Sequence, residues 1–212
     1  MYETTRPAIF LDRDGVINEN RDDYVKSWEE VFFLAGIFPA LQRLQQSAYR
    51  VVLVTNQSVV GRGIITAQQA LAVNRRVVET IEAWGGRIDA SYLCQHQPDD
   101  GCDCRKPAPG MLLQAARDLN LDLARSYLIG DAMSDLQAAK AAGVQGILVL
   151  TGRGLQELRR SAATDALRWL VAADLAGALA YIPGLPKARD WAAAPDHALA
   201  SRPFDGLAGE AR

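Results

Sequence analysis

The chain has 212 residues, with 23 Lys+Arg against 25 Asp+Glu, a formal net charge of −2. That length suits one domain with at most an appendage, and the balanced charge gives no electrostatic basis for nucleic acid or an anionic membrane surface as partner. No apolar run is long enough to span a bilayer. The polar start, Met1 to Pro7, lacks the apolar core of a secretory signal, so a cytoplasmic location is expected.

The first apolar run, Ala8 to Leu11, is short, β-branched and aromatic, and stops at Asp12-Arg13-Asp14-Gly15. It reads as a buried strand delivering polar residues at its end. Phe38 to Gln46 has helical spacing. Arg50 to Val54 reads as a second strand, ending at Thr55-Asn56-Gln57-Ser58. Thr66 suits an N-cap for a helix reaching Trp84. Ala90 to Cys94 reads as a third strand, and Pro109 opens a helix through Leu119. Ser126 to Ile129 is a fourth strand, followed by Gly130-Asp131; Ser134 to Ala142 is a helix stopped by Gly143. Gly146 to Leu150 is a fifth strand, Leu155 to Arg160 a helix, Leu167 to Val171 a sixth strand and Asp174 to Ile182 the last helix.

This alternation predicts an α/β fold, a Rossmann-like parallel sheet with helices on both faces and the site at the carboxyl ends of the strands. The domain is expected over residues 1–182. Residues 183–212 hold four of the nine prolines and no periodicity, and read as a loosely attached or disordered tail.

Four constellations carry chemistry. Asp12 and Asp14 at a strand end bent by Gly15 can face one small volume, one as nucleophile and one handling protons, and both suit Mg²⁺ as hard oxygen ligands. A solvated turn has the same composition. Thr55 and Asn56 can hold a phosphate, and also suit a turn or helix cap. Arg105 and Lys106 can offset phosphoryl charge, and also suit the surface. Asp131 can add a metal carboxylate; Asp135 can join it, buttress the loop or favour a helix dipole.

A fifth feature stands apart. The chain has three Cys and two His, and all three Cys and one His fall between Cys94 and Cys104. The odd count argues against a disulfide framework. Cys94, His96, Cys102 and Cys104 supply the four N/S ligands of a closed tetrahedral Zn²⁺ site, so a structural zinc is expected to pin this loop. The loop then delivers Arg105 and Lys106.

Together, FLDRDGVIN (Phe10 to Asn18), the Thr of VTNQS (Val54 to Ser58), Lys106 and the GDxxxD of Gly130 to Asp135 resemble, in order, the four motifs of the haloacid dehalogenase superfamily of phosphohydrolases. The resemblance spans about residues 8 to 182. It implies that Asp12 attacks phosphorus and becomes an aspartyl-phosphate, that Asp14 is general acid and then base, and that Thr55 and Lys106 hold phosphoryl oxygens. It also implies Mg²⁺ on Asp12, the carbonyl of Asp14, and Asp131.

The stretch CQHQPDDGCDCRKPAPGM (Cys94 to Met111) narrows this, resembling the D-glycero-D-manno-heptose 1,7-bisphosphate phosphatases, with histidinol-phosphate phosphatases as close relatives. A bisphosphate substrate implies a second phosphate site, for which Arg62 and Arg105 are candidates; Arg62 also suits solvent. One departure is Ala132, where many heptose enzymes carry Lys. No large cap domain is expected, so the zinc loop and Arg21 to Phe33 would form the rim, with Asp22, Tyr24 and Trp28, although ring packing is the commoner role for the two aromatics. The expected partner is a small phosphorylated sugar, the expected state a monomer. The different-class alternative is a zinc-stabilised binding module without catalysis.

Overall fold

The computed structural model of the chain describes residues 5–161 and 169–185. Six parallel strands form one sheet: β1 (Ala8–Leu11), β2 (Arg50–Asn56), β3 (Ala90–Cys94), β4 (Tyr127–Gly130), β5 (Gln145–Val149) and β6 (Leu170–Ala172), in the order β3-β2-β1-β4-β5-β6. The helices are α1 (Ile37–Gln42), α2 (Ser58–Gly61), α3 (Ala67–Ala83), α4 (Gly110–Leu119), α5 (Met133–Ala141), α6 (Gly154–Arg160) and α7 (Leu175–Leu179).

The strands alternate their side chains between two cores, as a period of two requires. Ile9, Leu11, Val51, Leu53, Ile129 and Ile147 pack on one face against α1, α3 and α7. Ala8, Phe10, Val52, Val54 and Leu128 pack on the other against α4 and α5. Both faces are therefore covered, and β1 is wholly buried. After β3 the chain returns to the other side of β1 to lay down β4, so β1 lies at the switch point where open α/β sheets place their sites.

The expected elements are present with shifted ends. The helix expected over Phe38 to Gln46 ends at Gln42, and the chain continues as turns to Gln46. The single-turn α2 was not expected; its four residues are too few for a periodic signal. Thr66 caps α3 in a reciprocal capping box with Gln69. The sixth strand runs over Leu170–Ala172, and residues 167–168 of the expected strand lie outside the described residues. The last helix is shorter than Asp174 to Ile182, with Asp174 as its N-cap. Of the tail, Pro183 to Leu185 form a turn and 186–212 lie outside the described residues. Among the described residues no separate cap domain is inserted, and no helix is long and apolar enough to cross a membrane.

Candidate active site

The ends of three adjacent strands and the loop between β3 and α4 bring the carboxylates, the threonine and Lys106 together. Asp12 follows β1, Thr55 is the last residue but one of β2 and Asp131 follows β4. Gly15, at φ +87°, bends the chain after β1 so that its amide reaches the carbonyl of Asn18 at 2.7 Å. This turn stacks Asp14 over the mouth of the sheet.

Lys106 is the electrostatic hub. It is 3% exposed, and its Nζ lies 3.0 Å from Asp12 Oδ1 and 2.6 Å from Asp135 Oδ1 and donates to the Val54 carbonyl at 2.9 Å. Burial alone would favour the neutral amine, but the two carboxylates outweigh it and hold the ammonium form well above the ordinary lysine range. Burial pushes Asp12 up to about 7; Lys106 opposes this, while Asp135, Asp131 and Asp14 reinforce it. Burial also raises Asp131, with the charge of Asp135 adding to it against the amide of Arg153.

The donor set fits a hard divalent cation. Asp12, Asp131 and Asp135 offer carboxylate oxygens within 4.8 Å of one another. Asp131 Oδ2 accepts from Asn20 Nδ2 at 2.9 Å and the Arg153 amide at 2.8 Å, whereas its Oδ1 is buried without a hydrogen-bond partner. A buried, unpaired carboxylate oxygen among like charges is what a cation satisfies. Asp135 is committed elsewhere: besides Lys106, it accepts from the Ala132 amide at 3.1 Å through Oδ2. Of the roles left open for it, the structure shows a brace on Lys106 and the Asp131 loop.

Asp14 is held from behind. Arg13, 1% exposed, donates Nε to its Oδ1 and an NH2 to its Oδ2, both at 3.0 Å. Asn18 and Gln57 add donors at 2.8 and 2.7 Å. Burial raises the Asp14 pKa, but Arg13 and these bonds outweigh it and the carboxyl sits below its usual range.

Thr55 is buried with its Oγ1 accepting from Gln57 at 2.9 Å. Asn56 lines the cleft, but its carboxamide is spent on the backbone of Lys106: Nδ2 donates to the carbonyl at 3.0 Å and Oδ1 accepts from the amide at 3.1 Å. Its side chain thus positions the lysine. Arg62 is exposed and stands over the Tyr24 ring, 5.9 Å from its centroid. Arg105 donates to the His96 carbonyl at 3.2 Å. Both arginines line a cleft of about 570 Å³ that also contains Asp12, Asp14, Thr55, Lys106 and Arg153. Asp22 and Tyr24 lie on its rim as expected. Trp28 takes the other role open to it, ring packing: it meets Phe33 edge-on at 6.1 Å, with Arg76 4.6 Å over its ring.

Cys94 Sγ, His96 Nδ1, Cys102 Sγ and Cys104 Sγ form a second cluster. Five of the six separations among these atoms run from 3.2 to 3.7 Å, and all lie within 4.8 Å. Two sulfurs each about 2.3 Å from one ion lie roughly 3.8 Å apart at the tetrahedral angle, so the cluster is compatible with a zinc site. Burial and the neighbouring thiols push Cys104 up to about 12, a cost that a cation removes. Hydrogen bonds tie this loop to α2: the Gln57 amide to the Cys94 carbonyl at 2.6 Å, the Gly61 amide to the Gln95 carbonyl at 2.9 Å, and Gln97 Nε2 to the Gly61 carbonyl at 2.7 Å.

Arg13, Asn18, Asn20, Gln57 and Arg153 are site residues that the sequence reading did not assign. Arg13 and Asn18 sat inside the first motif, where the turn at Gly15 was their signal, and Gln57 sat in the polar run Thr55 to Ser58 that follows the second apolar strand. Asn20 and Arg153 meet Asp131 across the fold, 111 and 22 residues away, and no local pattern marks them.

A family model described as HAD-hydrolase-like matches residues 103–178. The D-glycero-beta-D-manno-heptose-1,7-bisphosphate 7-phosphatase of Pseudomonas aeruginosa is 41% identical over 154 residues, covering 73% of this chain and 86% of its own. The enzyme of the same name from Bordetella bronchiseptica is 43% identical over 168 residues, 79% and 93% of the two chains. The crystal structure of D,D-heptose 1,7-bisphosphate phosphatase from B. bronchiseptica, complexed with magnesium and phosphate, superposes with a TM-score of 0.76 at 40% identity, covering 82% of this chain and 97% of that one. On this likeness and the site just described, the chain belongs to the D-glycero-beta-D-manno-heptose-1,7-bisphosphate 7-phosphatase family of the haloacid dehalogenase superfamily.

Proposed function

We propose that the chain is a magnesium-dependent phosphatase that removes the 7-phosphate of D-glycero-beta-D-manno-heptose 1,7-bisphosphate through a phosphorylated Asp12. The observation that carries this reading is the meeting of Asp12, Lys106 and the unpaired Asp131 Oδ1 at the ends of β1 and its neighbours, in a chain with the likeness just given.

In this reading Thr55 and Lys106 hold phosphoryl oxygens and lower the repulsion that keeps one anion from another. Asp14, a carboxylate at rest, takes up a proton from solvent once the substrate is bound; an Asp12 oxygen then attacks phosphorus in line as the bond from phosphorus to the sugar oxygen breaks, and Asp14 passes that proton to the sugar oxygen. Asp14, now a carboxylate, takes a proton from water; the water oxygen attacks phosphorus, and the bond to Asp12 breaks. Asp12, Asp131 and the carbonyl of Asp14 would hold Mg²⁺, whose chemistry when bound is to offset phosphoryl charge. Cys94, His96, Cys102 and Cys104 would hold a structural Zn²⁺. Those free thiols suit a reducing compartment, which supports a cytoplasmic location.

Arg62 and Arg105 flank the cleft where a second phosphate of the substrate would lie, and a guanidinium fork matches it bidentately. Steady-state comparison of the heptose bisphosphate with histidinol phosphate tests the assignment, with phosphorus NMR of the product. The expected result is a preference for the bisphosphate and a product keeping its 1-phosphate; preference for histidinol phosphate would overturn the substrate.

A further inference from the structure

Asp14 accepts four hydrogen bonds, two on each oxygen: Oδ1 from Arg13 Nε and Asn18 Nδ2, and Oδ2 from Arg13 NH2 and Gln57 Nε2. A carboxylate has about four lone-pair sites, so all are filled. An oxygen that gives a proton to a leaving alkoxide, or takes one from water, must first expose a lone pair, so one donor has to let go.

The donors are unequal. Arg13 is 1% exposed, lies behind Asp14 rather than in the cleft lining, and grips both oxygens with its planar fork. Asn18 is fully buried, and its Nδ2 is also bonded to the Glu19 carbonyl at 2.9 Å. Gln57 differs: it lines the cleft, and the same Nε2 donates to Thr55 Oγ1 at 2.9 Å. A phosphoryl group held at Thr55 arrives beside that nitrogen and offers it a charged oxygen in place of Asp14. The amide can then release Oδ2 without leaving a buried N–H unpaired.

We infer that Arg13 is the fixed positioning residue of Asp14 and Gln57 its exchangeable donor, so that phosphate binding at Thr55 exposes Oδ2 as the atom that moves the proton. Arg13 keeps Oδ1 and the plane of the carboxyl group in place throughout. Asp14 rests as a carboxylate, so the proton count closes through solvent: once Gln57 lets go, Oδ2 takes up one proton from solvent, gives it to the sugar oxygen, takes one from the attacking water, and returns that one to solvent as the Gln57 bond re-forms. This inference rests on the reading of Asp14 as the proton-transfer group.

The test is single-turnover release of the leaving group, with magnesium present, from a series running from p-nitrophenyl phosphate to alkyl monophosphates. A phenolate leaves without help, whereas an alkoxide needs a proton. Arg13→Met is expected to slow alkyl substrates about 100-fold, within the usual range for general acid–base catalysis, and p-nitrophenyl phosphate far less, copying the steepened dependence of Asp14→Asn. Arg13→Lys, which keeps charge but loses the fork, is expected to fall between and carries the test if Arg13→Met does not fold. Gln57→Leu is expected to raise KM about tenfold through its lost phosphoryl contact, at about 1.4 kcal/mol per decade, with the wild-type leaving-group dependence. Loss by one common factor across the series in both Arg13 variants would show a merely structural arginine and overturn the inference, as would a Gln57→Leu dependence as steep as that of Arg13→Met. If Asp14→Asn itself shows no steepening, the reading of Asp14 fails first.

Discussion

Asn56 grips the backbone of Lys106 at both its amide and its carbonyl, at 3.1 and 3.0 Å. A residue at the end of β2 therefore fixes the lysine that faces Asp12, although the two lie 50 positions apart. Asn56→Ala leaves both backbone groups without their partner, a loss of about 1–3 kcal/mol. It also lets the ammonium drift, and misplacement by about 1 Å can lower turnover on the order of 100-fold. Thermal unfolding together with phosphate-release kinetics checks this; unchanged kcat would mean that Lys106 is held without Asn56.

Gly15 sits at φ +87°, and a Cβ there would stand 2.0 Å from Asp131 Oδ2. Gly36, at φ +72°, has nothing within 4 Å of the same added atom. Gly36→Ala is expected to cost only the left-handed backbone term, about 1 kcal/mol. Gly15→Ala is expected to cost more, and to weaken magnesium binding at least tenfold by displacing Asp131. Calorimetric titration of magnesium into both variants separates the two effects.

The zinc reading predicts one bound zinc per chain in protein purified without chelator. Cys102→Ser removes one of four ligands and is expected to lower stability by several kcal/mol, or on the order of 10 °C in Tm. Because the loop is bonded to α2 through Gln57, Gly61 and Gln97, the variant should also raise KM through Arg62. Metal analysis, unfolding and kinetics on the same sample check all three.

Burial among carboxylates pushes Asp12 up to about 7. A raised carboxyl pKa means that the neutral acid persists to higher pH, and magnesium needs the carboxylate. Affinity for magnesium is therefore expected to fall as pH drops through about 7, approaching tenfold per pH unit below it. Titration at pH 6 and pH 8 measures this; equal affinities would show that Asp12 does not bind the ion through a titrating carboxylate.

The middle of the sheet was legible because its strands carry continuous apolar runs that stop at polar residues, as Ala8 to Leu11 does at Asp12. Thr66 announced α3 by local chemistry, through the capping box it forms with Gln69. The Cys94, His96, Cys102 and Cys104 cluster stood out because its members are close in sequence as well as in space. What stayed hidden depends on tertiary geometry. The side chain of Asn56 has the composition of a phosphate ligand, and only the fold shows it turned toward Lys106. Asn20 reaches Asp131 across 111 residues, a pairing that no periodicity encodes.

The central claim is that Asp12 carries the phosphoryl group. Acid-quenching a single turnover of the heptose bisphosphate with enzyme in excess, followed by mass spectrometry of the peptide containing Asp12, tests it most directly. The account predicts a phosphoryl group on Asp12 that forms and decays within the turnover, and no phosphate release from Asp12→Asn. Turnover by Asp12→Asn at the wild-type rate, or a phosphoryl group trapped on another residue, would contradict it.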